Sequence, residues 1–215
     1  MANFITVARV VLLLITVGFI YLSLPHGETS AQPVWAVVSA VLTLIVFLGD
    51  AIDGVVARAR NEVNDLGAVI DIAGDRIVEN VYWVVFAHLG MLSVWFPLIM
   101  LVRSFFVDAF RSLALTQGKT PFGEKTMMVS SLGKWLAASR FNRAVYGGAK
   151  VVTFIWLLLE LALSELPAST AWAQGLIKNL GMVQVLGTCL ALFTLLYALA
   201  RGAVVVWDSR RLFRA

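Results

Sequence analysis

The chain is written in long apolar blocks separated by short polar breaks. The blocks run to about 20 residues, the length a helix needs to cross a hydrocarbon core. The first spans Phe4 to Leu24 and is broken by Pro25-His26-Gly27-Glu28. The second begins near Pro33 and runs through Leu48, with no stop signal before Arg58, so one helix is expected over the whole stretch. Asn61 to Asp65 form a polar connection. The third block covers Leu66 to Leu89, and Gly90 supplies its stop. The fourth covers Ser93 to Leu115. Residues 116–144 are the longest polar stretch, interrupted by Gly118, Pro121, Gly123 and Gly133, with a short amphipathic surface helix expected around Trp135. The fifth block runs from Val145 to Leu163. Pro167 to Lys178 form a connection with Trp172 as an interfacial anchor, and the sixth block spans Met182 to Trp207. The pattern predicts an all-α polytopic membrane protein: six transmembrane helices with short interfacial helices between them, forming a single domain over 1–215.

Composition agrees. The chain is 60% hydrophobic and only 14% charged, against about 25% charged in soluble domains. The first block is too long for the apolar core of a cleavable signal peptide, and no small-residue cleavage site follows it. Cys189 lies in an apolar run, so no disulfide framework is expected. A net charge of +4 suits anionic lipid or a phosphorylated substrate and gives no footing for nucleic acid. Six spans put both termini on one side. That side collects Arg9, Arg58, Arg60, Arg111, Lys119, Lys125, Lys134, Arg140, Arg143, Lys150 and the tail arginines Arg210, Arg211 and Arg214, whereas the other has only Lys178 in its loops. The positive-inside rule makes the first side cytoplasmic.

Four aspartates break the apolar pattern at the cytoplasmic ends of segments two and three. Asp50 and Asp53 are one helical turn apart, and so are Asp71 and Asp75. A carboxylate near a bilayer is costly unless it is paired, metal-bound or faces water. Taken singly, an Asp pair near a helix end is a solvated cap. Two pairs on antiparallel neighbouring helices can converge at one depth. Oxygen ligands without His or Cys favour a hard cation, Mg²⁺ or Mn²⁺, and two such ions would bridge the attacking and leaving oxygens in a displacement at phosphorus. Gly54 removes a side chain where a phosphate would approach, Ala57 keeps that face narrow, and Arg58 offers a bidentate phosphate contact. Gly67 lies one turn before Asp71 and opens space toward the facing helix. Glu79 extends the Asp71/Asp75 stripe and is expected to pair with Arg76 or another helix. His26 and His88 fall at the far side and are not proposed as metal ligands. A small divalent-cation carrier is the competing reading, but Arg58 beside an ion path would oppose cation entry.

Written out, the motif is D-x2-D-G-x2-A-R-x8-G-x3-D-x3-D from Asp50 to Asp75, with eight specified positions. It resembles the signature of the CDP-alcohol phosphatidyltransferase family at every one of them. The six-segment layout and the start Asn3-x2-Thr6-x2-Arg9 are similar too. The resemblance implies an integral membrane enzyme, expected as a homodimer, that moves a phosphatidyl group from CDP-diacylglycerol to the hydroxyl of a small alcohol and releases CMP. By motif position, Asp50, Asp53, Asp71 and Asp75 would hold the metals, with Asp75 also the general base. Gly54, Ala57, Arg58, Gly67 and Thr6 would contact or make room for the CDP moiety.

The acceptor must be read from basic residues outside the motif. A phosphorylated acceptor needs fixed cations, and Arg103, Arg111, Arg143 and Lys150 are the candidates. Arg103 lies inside a span and needs a polar partner, for which Asp108 or the acidic stripe are the alternatives to an acceptor phosphate. Arg103-Ser104-x6-Arg111 resembles the phosphatidylglycerophosphate synthase branch, although Ser104 stands where that branch carries Glu. Ser139-Arg140-Phe141-Asn142-Arg143 suits an inositol phosphate equally. The order read from sequence is glycerol 3-phosphate first and inositol phosphate second.

Overall fold

The computed structural model describes residues 2–25, 30–59, 65–116, 118–119, 126–167 and 171–210. Side chains are described over 6–25, 30–49, 70, 72–116, 118–119, 126–167 and 173–210. Six long helices form: α1 (Ala2–Leu22), α2 (Pro33–Ala59), α3 (Asp65–His88), α4 (Trp95–Thr116), α6 (Arg140–Ser164) and α8 (Leu180–Ser209). Between α4 and α6, α5 (Ser131–Gly133) continues directly into a π-helical turn over Lys134–Ala138. The short α7 (Ala171–Ile177) precedes α8.

Local chemistry explains the ends. Pro33 opens α2 at the position where a missing N–H costs nothing. Gly90, at φ 71°, ends α3: its N–H donates to Ala87 O and that of Met91 donates back to Phe86 O. The helix through the acidic motif is unbroken as expected, α2 continuing to Ala59. The start of α6 departs from expectation. It begins at Arg140 rather than Val145, because Ser139 caps it by accepting from Asn142 N at 3.2 Å. The buried Asn142 amide then donates to Trp135 O at 2.7 Å. The polar residues assigned to a loop are therefore the first turn of a helix, and Arg143 belongs to it.

Packing runs α1 on α2, α2 on α6, α6 on α8, α8 on α4, α4 on α3, and α3 back on α1. The six helices close a ring, and a contact between α3 and α6 crosses its middle. Polar residues are buried alongside the apolar core, and many large apolar residues face outward. Thr16, Ser39, Thr43, Thr153 and Thr194 are fully buried, whereas Leu14, Val41, Phe105, Phe106, Val185 and Leu196 face outward. These five hydroxyls are satisfied within the bundle, for example Thr153 with Thr194 across α6 and α8 at 2.9 Å. Among the described residues, Arg140–Ser164 and Leu180–Ser209 are long and apolar enough to cross a membrane.

The ring is filled by aromatic side chains around Phe154 of α6. Its centroid lies 4.9 Å from Tyr82, 5.1 Å from Trp83, 5.8 Å from Phe86 and 6.0 Å from Phe47. Tyr82 also shares a 2.7 Å hydrogen bond with Thr43. Packing should outweigh that bond. Phe154→Ala is expected to cost about 3–5 kcal/mol, and Tyr82→Phe about 1 kcal/mol. Denaturation of both variants in detergent tests the ranking, and the reverse order would refute it.

Candidate active site

The N-terminal half of α1 lies between the two halves of the acidic motif. Buried Arg9 donates from Nε to Val46 O of α2 at 3.1 Å and from a terminal nitrogen to Asp75 Oδ1 of α3 at 3.2 Å. Two glycines permit this approach. A Cβ on Gly49 would sit 3.2 Å from the Arg9 side chain, and one on Gly74 would collide with the Thr6 methyl. Each glycine directly precedes a motif aspartate, so α1 packs closely where the motif begins in α2 and where it ends in α3. Thr6 and Arg9 were singled out by sequence, whereas Gly49 and Gly74 were not. Asp75 remains partly open, its side chain 40% exposed. The backbone at Asp50, Asp53, Gly54, Ala57, Arg58, Gly67 and Asp71 is helical, but their side chains lie outside the described residues, as does that of Asn3.

One turn beyond Asp75, Glu79 is fully buried. It takes Arg76 at 3.1 Å and Lys150 of α6 at 3.7 Å on one oxygen, and the Tyr146 hydroxyl donates to the other. The expected Arg76 partner is thus present, and so is a second helix. Arg76 also forks onto Asp108 of α4, at 2.8 and 3.3 Å, and Arg111 lies 3.6 Å from the same carboxylate. Three cations surround the Tyr146 ring: Lys150 at 4.8 Å, Arg201 at 5.3 Å and Arg103 at 5.9 Å from its centroid.

Asp108 is therefore not the partner of Arg103, because Arg76 and Arg111 occupy it. Arg103 crosses to α8 and donates from Nε to Ala198 O at 3.2 Å, within electrostatic reach of Glu79. One of its terminal nitrogens is buried with no hydrogen-bond partner among the described residues. Of the four cations expected at an acceptor phosphate, Arg103 and Lys150 meet at Tyr146. Arg111 is an electrostatic neighbour of Arg103 and Arg201, and Arg143 of Arg201. Arg201 was missed, although the signal was available: it is an arginine inside the sixth apolar block, the same anomaly that drew attention to Arg103.

The model of the CDP-alcohol phosphatidyltransferase family matches residues 1–208. The chain belongs to this family. Its members are enzymes that move a phosphatidyl group from a CDP-linked donor to an alcohol acceptor with the help of divalent metal ions. An archaetidylinositol phosphate synthase of Aeropyrum pernix is 37% identical over 65 residues, which cover 28% of this chain and 34% of that protein. The chain thus matches about a third of that curated relative's length.

The residues present fit a hard divalent cation. The motif supplies carboxylate oxygens only, and Asp75 is partly open on α3 beside Arg9. Among the described residues no group of three His, Cys, Asp or Glu side chains forms, so the fit rests on this donor chemistry.

Glu79 is the buried counter-ion of this phosphatidyltransferase's basic cluster. Glu79→Ala should destabilise the protein by about 3–5 kcal/mol, because it strands buried cations rather than merely removing a pair. Chemical denaturation in detergent measures it, and a loss below about 1 kcal/mol, the size of a surface pair, would refute the assignment.

Proposed function

We propose that this protein transfers a phosphatidyl group from CDP-diacylglycerol to the hydroxyl of a small phosphorylated alcohol, releasing CMP. The observation that carries the phosphorylated acceptor is the cation cluster around Tyr146, with a buried guanidinium nitrogen on Arg103 that has no hydrogen-bond partner among the described residues. A buried donor without a partner costs roughly 1–3 kcal/mol, which a phosphate oxygen would recover.

In this reading Asp50, Asp53, Asp71 and Asp75 hold one or two Mg²⁺ or Mn²⁺ ions. When bound, the metal offsets pyrophosphate charge and polarises the phosphorus under attack. Gly54, Ala57, Arg58, Gly67 and Thr6 accommodate the CDP moiety. Arg103, Arg111, Arg143 and Lys150 hold the acceptor phosphate. Asp75, held by Arg9, takes the proton as the acceptor oxygen bonds to the lipid-bearing phosphorus. The bond from that phosphorus to the bridging oxygen breaks, and CMP leaves. The arrangement we infer has six spans, a cytoplasmic active site and a homodimeric assembly.

For the acceptor, the name of the Aeropyrum relative favours inositol phosphate. Ser104, in place of the Glu of the phosphatidylglycerophosphate synthase branch, works against glycerol 3-phosphate. This reverses the order read from sequence.

Purified protein should release CMP from CDP-diacylglycerol only with Mg²⁺ or Mn²⁺ and a phosphorylated acceptor, the lipid product being identified by mass. Release with unphosphorylated alcohols alone would overturn the acceptor reading, and no release with any acceptor would overturn the activity. Asp75→Asn should lower kcat by about 10²–10⁴, and wild-type turnover in that variant would remove Asp75 as the base. Arg103→Gln should raise the acceptor KM about 10- to 100-fold, the worth of a charge-assisted hydrogen bond, with the donor KM little changed. An equal rise in both would place Arg103 away from the acceptor.

A further inference from the structure

The C-terminal turns of α8 hold the segment that leads into α6, and they do so at both of its ends. Arg201 and Asp208 are seven residues apart on α8. That is two helical turns, so they share one face about 10 Å apart along the axis. Both are buried. Facing them is the helical stretch Ser131–Ala138, about 12 Å long by the same rise.

At its start, one oxygen of Asp208 accepts from Val129 N and Ser130 N, each at 3.0 Å, and from Ser130 Oγ at 2.9 Å. Ser130 Oγ in turn accepts from Gly133 N at 2.9 Å, capping the stretch. At its far end, Arg201 donates to Ala137 O at 3.2 Å and to Asn142 O at 2.6 Å. Tyr197, one turn earlier on α8, donates its hydroxyl to Asn142 Oδ1. A carboxylate thus meets the amide end of the stretch and a guanidinium its carbonyl end, so each charge opposes the local helix dipole. Gly133 is needed for the fit, because a Cβ there would collide with the Asp208 carboxylate. The outer side of the stretch carries exposed Leu132 and Trp135, so its attachment depends on the side facing α8 and on the small core of Val107, Met127, Met128, Ala137 and Val205.

We propose that Asp208 and Arg201 are positioning residues that fix residues 129–142 against α8 and thereby present Arg143 to the acceptor phosphate. The inference rests on the reading of Arg143 as an acceptor contact. Arg143 follows directly on Asn142, whose carbonyl and side chain α8 holds, so its backbone is set by this clamp. The donor-binding motif lies on α2 and α3 and makes no part of it.

The test is steady-state kinetics of the full chain in detergent with CDP-diacylglycerol and the phosphorylated acceptor found active. Asp208→Ala should raise the acceptor KM about tenfold, while kcat at saturating acceptor and the donor KM stay within about twofold. Asp208→Asn, which keeps an acceptor oxygen, should fall between. Ser130→Ala removes one of the three bonds to Asp208 together with the cap on Gly133 N, leaves the two backbone bonds to Asp208, and should shift the same constant by less. Hydrogen exchange at the amides of Val129 and Ser130 should quicken in Asp208→Ala. An unchanged acceptor KM, or an equal rise in both KM values, would overturn the clamp. If Asp208→Ala does not fold, the Ser130→Ala kinetics decide by the same criterion. Arg143→Gln separates the two readings. A raised acceptor KM there with none in Asp208→Ala removes the clamp alone, whereas no change in Arg143→Gln removes the acceptor role on which it rests.

Discussion

The burial of Glu79 is the constraint on which the interior depends. A carboxylate with no exposure inside an apolar bundle persists only when cations and donors surround it. Here they come from its own helix and from α6: Arg76, Lys150 and the Tyr146 hydroxyl. Arg76 extends the network to Asp108 on α4, and the Tyr146 ring extends it to Arg201 on α8. One buried acid therefore ties together α3, α4, α6 and α8. In a bundle whose outside is apolar, hydrophobic burial gives these helices little reason to choose one another. The ionic and hydrogen-bonded contacts supply the choice.

The network is unbalanced. Among the described residues, Arg76, Arg103, Arg111, Lys150 and Arg201 gather around Tyr146 and the two carboxylates Glu79 and Asp108. Excess positive charge in a partly desolvated cluster is expensive for the free protein and favourable for an anionic ligand. The acidic motif has the opposite sign, and Arg9 bridges its α2 and α3 halves. In the proposed reading the acidic motif on α2 and α3 would take a phosphate through a bound cation, and the basic cluster between α3, α4, α6 and α8 would take one directly. Glu79 lies one turn from Asp75, so the two sites adjoin along α3.

Sequence made the helices and the reaction class legible for different reasons. The helices follow from long apolar blocks and from stops such as Gly90, which are local signals. The family follows from the fixed spacing of Asp50 to Asp75, which is local too. Glu79 with Arg76 was legible because three residues along a helix are neighbours. What failed was non-local. Of the two alternatives to an acceptor phosphate for Arg103, Asp108 is taken by Arg76 from another helix, whereas Glu79 of the acidic stripe is within electrostatic reach and an α8 carbonyl accepts from Arg103 Nε. The start of α6 was misplaced because hydrophobicity alone located it, whereas Ser139, Asn142 and Arg201 satisfy its polar first turn across the fold. Gly49 and Gly74 carry no sequence signal until α1 is seen against them.

In the proposed reading, stability and acceptor binding draw on the same side chains, and this limits how the site can be built. Neutralising Arg103 or Lys150 would reduce the charge excess of the free bundle and also remove what a phosphate would bind. Adding a third carboxylate would balance the cluster and repel the same ligand. A bound anion resolves the conflict, since a ligand that binds only the folded form stabilises it by an amount that grows with the logarithm of its concentration above Kd. The cations therefore need anchoring that does not use up their charge. Arg103 bonds a backbone carbonyl and leaves a terminal nitrogen unpartnered, and Lys150 rests on the Tyr146 ring at a loose 3.7 Å from Glu79. Carbonyls and aromatic faces hold a cation in place with only partial neutralisation, which is the condition an anion site requires.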